Sequence, residues 1–480
     1  MFRARLKICC WGLLPVHDRL ENVIRWMAII SMMAFIQGAL AQPCSLDSSF
    51  NPDLDSSAAV YVITFQPNGQ ILIGGSFSSV QEVPRANLAR LNPDGALDET
   101  FDPGLSANIG YVNAIAVQKD GKLMVGGAFF SSSGGPYTNL MRLNPTGSVD
   151  TGFDSRLALD GPVNVVVIQS DDRILFGGDF AFVHGLARRS IARVNSDGGL
   201  DRTFDACVAS SAGAGATGLA VLTNGQILAS GLFTFSTGLY RYGIARLNSC
   251  GDLDPTYAAA QPGLNTGATA FTLALRKNNT VLLGGDFTGY HGTPRQGIAQ
   301  LTTSGNVDLS FSPGTGIDDG TTVYTIALQP DGKALIGGNF GSYNGQSRFG
   351  IARINPDGSL EPGCNAGTGP NNSVSSFAIQ SDGKILVAGK FTSFNGESRS
   401  GLVRLNGDPK LGAPAQLDNG QVQLLFQGQD QSRYTLQAGS DLTNWLSVIT
   451  NFTVTNSPMT LVDPDPTTSP IRFYRIVSEP

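Results

Sequence analysis

Short apolar runs alternate with polar turn residues along most of this chain. In Tyr324–Phe340, YTIALQPDGKALIGGNF, two apolar runs flank a Pro330-Asp331-Gly332 turn, and the second run stops at Gly337-Gly338 before Phe340. Period-two patterning of this kind reads as strand, and an Asp-Gly or Asn-Gly between two such runs reads as a tight hairpin, because both residues tolerate positive φ. The closing Phe recurs as Phe77, Phe129, Phe180, Phe233, Phe287, Phe340 and Phe391, at intervals of 51 to 54 residues. Seven copies at a fixed period predict a repeat architecture.

Each copy predicts four strands. In the second, Val112–Val117 is the first strand, Gln118-Lys119-Asp120-Gly121 turns the chain, and Lys122–Val125 is the second. Asn139–Asn144 is the third, and Val149–Phe153, after Pro145-Thr146-Gly147, the fourth. Four antiparallel strands in such a unit, with no helical period, describe a propeller blade. The predicted fold class is all-β, a seven-bladed β-propeller over residues 42–410. The fourth-strand pattern, Leu97-Asp98-Glu99-Thr100-Phe101 and Leu200-Asp201-Arg202-Thr203-Phe204, is missing from the seventh copy, where Asn406 runs into Gly407-Asp408-Pro409. Leu46-Asp47-Ser48-Ser49-Phe50 carries it ahead of the first copy. The N-terminal segment is therefore expected to supply the outer strand of the last blade, which removes an exposed edge and latches the ring.

The Pro-Asp-Gly-Lys turn of Pro330–Lys333, the Gly-Gly-x-Phe stop, the Ile244-Ala245-Arg246-Leu247-Asn248 strand and the Leu-Asp-x-x-Phe ending resemble the delta-60 repeat family of bacterial propeller proteins, over roughly residues 46 to 406. The resemblance implies a propeller fold and export, and it carries no catalytic motif. Kelch repeats share the Gly-Gly doublet but place a Trp in each blade, whereas Trp11, Trp26 and Trp445 all lie outside the repeats.

Residues 411–480 show no copy of the blade. Val422–Phe426, Tyr434–Ala438, Leu446–Thr450 and Ile471–Val477 read as strands of a small immunoglobulin- or fibronectin-like β-sandwich, similar to a module at the end of many exported bacterial repeat proteins. Trp445 is expected to plug its core; sugar stacking is the alternative. At the other end, Arg3, Arg5, Lys7 and Arg25 precede an apolar run, Trp26 to Ile36, and then Ala39-x-Ala41. This reads as a signal peptide over residues 1–41, cut before Gln42. Cys44 sits too late for lipidation.

Composition narrows the function. Charged residues are 15% of 480, the net charge is −6, and 59 Gly with 25 Pro fit a chain of many turns. No basic stripe is present for a nucleic-acid backbone. After cleavage no apolar run is long enough to span a bilayer, and a monomer is expected. Cys44, Cys207, Cys250 and Cys364 remain, and their repeat positions predict bridges Cys207–Cys250 and Cys44–Cys364.

Residues that look like chemistry fall on repeat positions. His184 and His291 follow the repeat Phe by four residues, where other copies place Gln81, Asn344 and Asn395, so both read as turn variants. Arg90, Arg142, Arg193, Arg246, Arg353 and Arg404 form one row, with Gln300 in the fifth copy. Arg85, Arg188, Arg241, Arg295, Arg348 and Arg399 form a second, five residues earlier. An acidic row, Asp47, Asp98, Asp150, Asp201, Asp254, Asp308 and Glu361, matches them, predicting an Arg–carboxylate pair per blade or between neighbours, as the guanidinium fork suits a carboxylate. The alternative is a charged face for an anionic polymer. The Asp-Gly turns lack the oxygen density of a calcium loop. Gly74-Gly75 opens no helix to hold phosphate. No cofactor or metal is expected.

Function should then rest on departures from the repeat, in Ser131–Pro136, Ala209–Thr217 and Gly314–Thr321. The expectation is an exported binding protein, secreted or on the cell surface, whose ligand is a protein or a glycan. A propeller-type glycan hydrolase or lyase is the first alternative; its acidic candidates are the adjacent pairs Asp171-Asp172 and Asp318-Asp319. A structural or adhesive surface protein is the second.

Overall fold

Seven three-stranded antiparallel sheets carry the repeats of this computed structural model. It describes residues 43–478 apart from 106–109, 131–137, 154–156, 259–262, 266, 319, 413, 418–420, 428–432, 440–443, 455–458 and 464–472. The expected signal peptide lies outside the described residues. Two compact units are present: Pro43–Pro409, and a second that includes Lys410–Pro480. The described residues contain strands, turns and bends and no helix.

The innermost strands are Ala59–Phe65, Gly110–Val117, Val163–Ile168, Val208–Val221, Ala270–Leu275, Thr322–Leu328 and Val374–Ile379. Each pairs with a middle strand, such as Ile71–Ser76 or Ala334–Asn339, that is flanked on its other side by a third, such as Leu88–Leu91 or Ile351–Ile354. The middle strands read as unbroken apolar runs because both their faces are covered. Ile71 and Ile73 turn into a core shared with Leu386 and Ala388 of the seventh sheet, while Leu72 turns into a core shared with Val112 and Val125 of the second. The cores therefore lie between blades. Each innermost strand packs against the next, and Ala59–Phe65 packs against both the second and the seventh. Seven such sheets around a common channel define a β-propeller.

The expected fourth strand is reduced to a single bridge per blade, as at Leu91 with Leu97 and Ile354 with Leu360. The reason is local. Asp98 turns its carboxylate back onto the Thr100 amide (3.0 Å), and Asp150 does the same to Gly152 (2.9 Å). This Asx turn diverts the chain after one paired residue. The Phe that follows, such as Phe101, is then buried. Ahead of the first blade, Leu46 bridges Leu405, and the Cys44 and Asp47 amides donate to the carbonyls of Asn406 and Arg404 (2.8 Å each).

The Gly-Gly doublet has two separate causes. A Cβ on the second Gly would stand 2.0 to 2.4 Å from a carbonyl oxygen of the innermost strand: Ala59 for Gly75, Gly215 for Gly231, Thr322 for Gly338. All seven copies keep Gly there. A Cβ on the first would meet side chains of the next blade, such as Val112 at 2.6 Å from Gly74. Side chains can move, and Ser230 and Ala388 occupy that position in the fourth and seventh copies.

Lys410–Leu411 and Ala415–Gln416 pair with Val422–Gln427, which also pairs with Met459–Asp463. Arg433–Gly439 pairs with Leu446–Thr453 and Phe473–Ser478. Both sheets contribute to one core containing Leu424, Phe426, Tyr434, Leu436, Val454 and Leu461. Trp445 is not in it, contrary to expectation. It precedes an edge strand that is largely exposed, and its ring lies 4.3 Å from the Arg475 guanidinium carbon. Phe426, Tyr434 and Phe452 fill the centre instead, with ring centroids 4.8 to 6.1 Å apart.

Candidate functional site

The first Arg row meets the acidic row in every blade that has both. Arg90 Nε donates to Asp98 (2.8 Å), Arg193 to Asp201 (2.8 Å), Arg246 to Asp254 (2.9 Å), Arg353 to Glu361 (2.9 Å) and Arg404 to Asp47 (2.8 Å). Arg142 pairs with Asp150 (2.7 Å), and Gln300 donates to Asp308 (2.8 Å). The same guanidinium lies over the Phe or Tyr that ends the repeat, as Arg193 does over Phe204 at 4.6 Å. Its Nη1 reaches a carbonyl of the next blade: Pro145 for Arg90, Ser249 for Arg193, Thr303 for Arg246, and Pro93 for Arg404. In the fifth blade, Arg276, just past the innermost strand, reaches the Gly332 carbonyl across the boundary (2.6 Å), where the repeat's Arg has become Gln300.

The second row also faces backbone: Arg85 donates to the Phe101 and Glu99 carbonyls, and Arg295 to that of Phe311. Burial pushes the Asp47 carboxyl up, but hydrogen bonds from Lys384 and Ser49 and the Arg404 charge outweigh it and hold it at about 2. Asp150 and Asp201 are likewise held at about 2 against burial, by Lys122 and Gly152 in one case and Thr203 and Arg193 in the other. Folded values below the ordinary 3.8 mean that the pairs stabilise the protein above about pH 4 and lose that contribution as the pH falls towards 2. The melting temperature should therefore be level above about pH 5 and fall steeply between 4 and 2. An unchanged melting temperature down to pH 2 would contradict the pairing.

Other sequence candidates resolve as turns and caps. His184 and His291 adopt φ of 52° and 46°, and their amides donate to the carbonyls of Leu157 and Gly263. Gln81, Asn344 and Asn395 do the same at φ of 47° to 51°. Asp171 pairs with Arg173 and Asp172 with Lys119, so they do not converge. Asp318 accepts the Gly341 and Ser342 amides, and Asp319 lies outside the described residues. Ser131–Pro136 also lies outside them, and Ala209–Thr217 is part of the strand Val208–Val221 rather than a loop. Among the described residues no group of His, Cys, Asp and Glu could hold a metal ion.

Cys44 and Cys364 form a disulfide between buried positions, with Cα atoms 5.1 Å apart. The second expected bridge is not formed: Cys207 and Cys250 are exposed free thiols. The two pairs are out of register. Cys44 stands two residues before its Leu46-Asp47 and Cys250 three before Leu253-Asp254; Cys364 replaces the buried Phe, whereas Cys207 lies three residues beyond Phe204.

The channel mouth holds the residues that do not repeat. Every innermost strand carries a register shift at the same place, for example between Val60 and Val62 and between Val323 and Thr325. The extra residue is Tyr61, Asn113, Asn164, Thr217, Phe271, Tyr324 or Ser375 in blade order. A bulge re-aims its side chain out of the sheet. Here it releases the side chain from the inter-blade cores that hold the preceding Val60, Val112 or Val374.

Neighbours in this row touch around the ring. Asn113 Nδ2 donates to Asn164 Oδ1 (3.1 Å), Thr217 Oγ1 donates to the Ala270 carbonyl (2.5 Å), and Phe271 meets Tyr324 edge-on (5.5 Å). Tyr61 meets Tyr111 edge-on (5.9 Å). Tyr61, Tyr111, Asn113, Tyr324, Ser373, Ser375 and Lys390 line a cavity of about 450 Å³. Burial, and then Tyr111 beside it, raises the Tyr61 hydroxyl above its ordinary value, so it is a neutral donor. Sequence patterning missed this row because a bulge leaves no mark in alternation. The signal that was present is a column of Tyr, Asn, Asn, Thr, Phe, Tyr and Ser beside columns that repeat.

The fold and its seven clasped units define a repeat β-propeller. The profile of the beta-propeller family described as a domain of unknown function (DUF5122) matches residues 66–101, 118–153, 169–204, 222–257, 277–311, 329–363 and 380–408. The chain belongs to that family. No curated protein sequence matches it. Among solved structures it is similar to the extracellular domain of a protein assigned as a hybrid two component system from B. thetaiotaomicron, at 10% identity and a TM-score of 0.37, over 87% of this chain and 68% of the other. It is also similar to a protein assigned as exported from Bacteroides fragilis NCTC 9343, at 12% identity and a TM-score of 0.32, over 77% of this chain and 94% of the other. Likeness at this level carries no argument about function. Among the described residues no helix is long and apolar enough to cross a membrane.

Proposed function

We propose that this protein is an exported, non-catalytic binding protein that takes a glycan at the mouth of its propeller channel. The observation that carries this reading is the non-repeating bulge row. A scaffold that repeats its turns and cores seven times varies the residue at this bulge, and Tyr61, Asn113, Tyr324 and Ser375 of the row line one cavity. Its aromatic faces, Tyr61, Tyr111 and Tyr324, offer flat apolar platforms, while Asn113, Ser373 and Ser375 offer donors and acceptors. Such a mixture suits a small polyhydroxylated ligand better than a protein surface, which would be met by a broad apolar patch. The residues lining the cavity include no carboxylate, whereas glycoside hydrolysis uses two.

The same reading makes residues 44–50 the closing segment of the ring and the C-terminal unit an immunoglobulin- or fibronectin-like sandwich. The Arg404–Asp47 pair, the Arg404 contact to Pro93 and the Cys44–Cys364 disulfide support the first; the core shared by two sheets supports the second. A disulfide also fits an extracytoplasmic location, secreted or on the cell surface.

The test is an array of oligosaccharides probed with the exported full chain. Tyr61→Ala and Tyr324→Ala are expected to weaken binding at least tenfold, about 1.4 kcal/mol, with little change in melting temperature. Binding of a protein partner that survives both substitutions, with no oligosaccharide bound, would overturn the reading.

A further inference from the structure

One position beside the bulge row also varies between blades. The residue between the second Gly and the closing Phe is Ser76, Ala128, Asp179, Leu232, Asp286, Asn339 or Lys390. Its backbone is fixed at the mouth. The amides of Asp179, Asp286 and Lys390 donate to the carbonyls of Pro162, Thr269 and Ser373, at the start of the innermost strands. Of the seven, only the seventh blade presents a cation, and Lys390 lines the cavity with Tyr61, Tyr111 and Ser375. Its ammonium lies 5.7 Å from the centre of the Tyr61 ring.

Lys390 differs in its surroundings from the lysines that are paired in the blades. Lys122, Lys333 and Lys384 each sit within 3.5 Å of an aspartate oxygen. Among the described residues no carboxylate pairs with Lys390. The acids at the equivalent position, Asp179 and Asp286, belong to the third and fifth blades, whereas the cavity is lined from the first, second, sixth and seventh. The mouth is therefore polarised: cation, hydroxyls and tyrosines on one side, carboxylates on the other.

We infer that the saccharide taken at this mouth is anionic, with its acidic group held by Lys390 while a sugar ring lies on the tyrosines. This rests on the glycan reading above. A cation over an aromatic ring at the rim of a cavity is held in place without being neutralised. It is then free to form a charge-assisted hydrogen bond to a carboxylate or sulfate, with Ser373, Ser375 and Asn113 left for hydroxyl groups.

The experiment uses the exported full chain and calorimetric titration with an oligogalacturonate, its fully methyl-esterified form, and a sulfated oligosaccharide of the same length. Esterification removes the charge and keeps the sugar. The wild type is expected to bind one of the charged forms at least tenfold more tightly than the neutral one. Preference for the uronate or for the sulfated sugar identifies the acidic group. Lys390→Gln should abolish that preference, and Tyr61→Ala should weaken binding of charged and neutral sugars alike. Equal affinity for charged and neutral sugars, or a preference untouched by Lys390→Gln, overturns this inference while leaving the glycan reading in place. Failure of all three sugars in the wild type, alongside an array without hits, overturns both.

Discussion

Replacing Gly338 with alanine is expected to destabilise the propeller by about 3 kcal/mol, while the same change at the adjacent Gly337 costs about 1 kcal/mol. The two glycines follow one another on one strand, yet their surroundings differ in kind. A Cβ at position 338 would lie 2.0 Å from the Thr322 carbonyl oxygen, which is backbone and belongs to the bulged strand. It can be relieved only by opening that bulge. A Cβ at 337 would press on side-chain atoms of Phe377 and Val374, at 2.6 and 2.7 Å, and these can turn aside. The protein already carries Ser230 and Ala388 at the Gly337 position. The effect should reach function, because the bulge that Gly338 permits is the one that aims Tyr324 into the channel. Calorimetric melting of the two variants checks the order, and glycan titration checks the link. Equal losses from the two substitutions would show that the doublet is ordinary packing.

Arg404→Ala is expected to cost about 3 to 5 kcal/mol, the range for breaking a buried ion pair from one side. Arg246→Ala, at the equivalent place in the fourth blade, should cost less. Arg404 and Asp47 are 9% and 8% exposed, against 17% for each of Arg246 and Asp254. The Arg404 contacts also join residues far apart in the chain: Asp47, the Phe50 ring at 4.5 Å and the Pro93 carbonyl at 2.8 Å. Removing the guanidinium leaves the buried Asp47 with Lys384 as its remaining cation. The Cys44–Cys364 bond keeps the segment tethered, so the full loss should emerge under reducing conditions, with protease cleavage ahead of Ala59 as the second readout. If the Arg404→Ala protein under reduction melts no lower than the Arg246→Ala protein, the N-terminal segment does not close the ring.

Much of the frame could be read from the chain. The closing Phe gave the period, and Asp-Gly and Asn-Gly gave the hairpins. The Leu-Asp-x-x-Phe pattern displaced to residues 46–50 pointed to the pairing of Leu46 with Leu405. The Arg–carboxylate row was legible for the same reason: five copies hold the pair eight residues apart, Gln300 takes the Arg place in the fifth copy, and Arg404 finds its acid in the displaced Asp47. The Cys44–Cys364 bond followed because Cys364 takes the place of a buried Phe.

The sequence by itself determined which units exist and how often they recur, since alternation and turn chemistry act between residues close in the chain. Tertiary structure decided what each unit could not set alone. Asp98 had to fold back on Thr100 before the fourth strand shrank to one bridge. Cys207 and Cys250 share a blade boundary but lie in the wrong register to bond. The bulge row depends on a carbonyl from one strand meeting a glycine on the next. That contact also ties the mouth of the channel to the glycine that every repeat keeps two residues before its closing Phe, and it is why the site became visible only once the strands were paired.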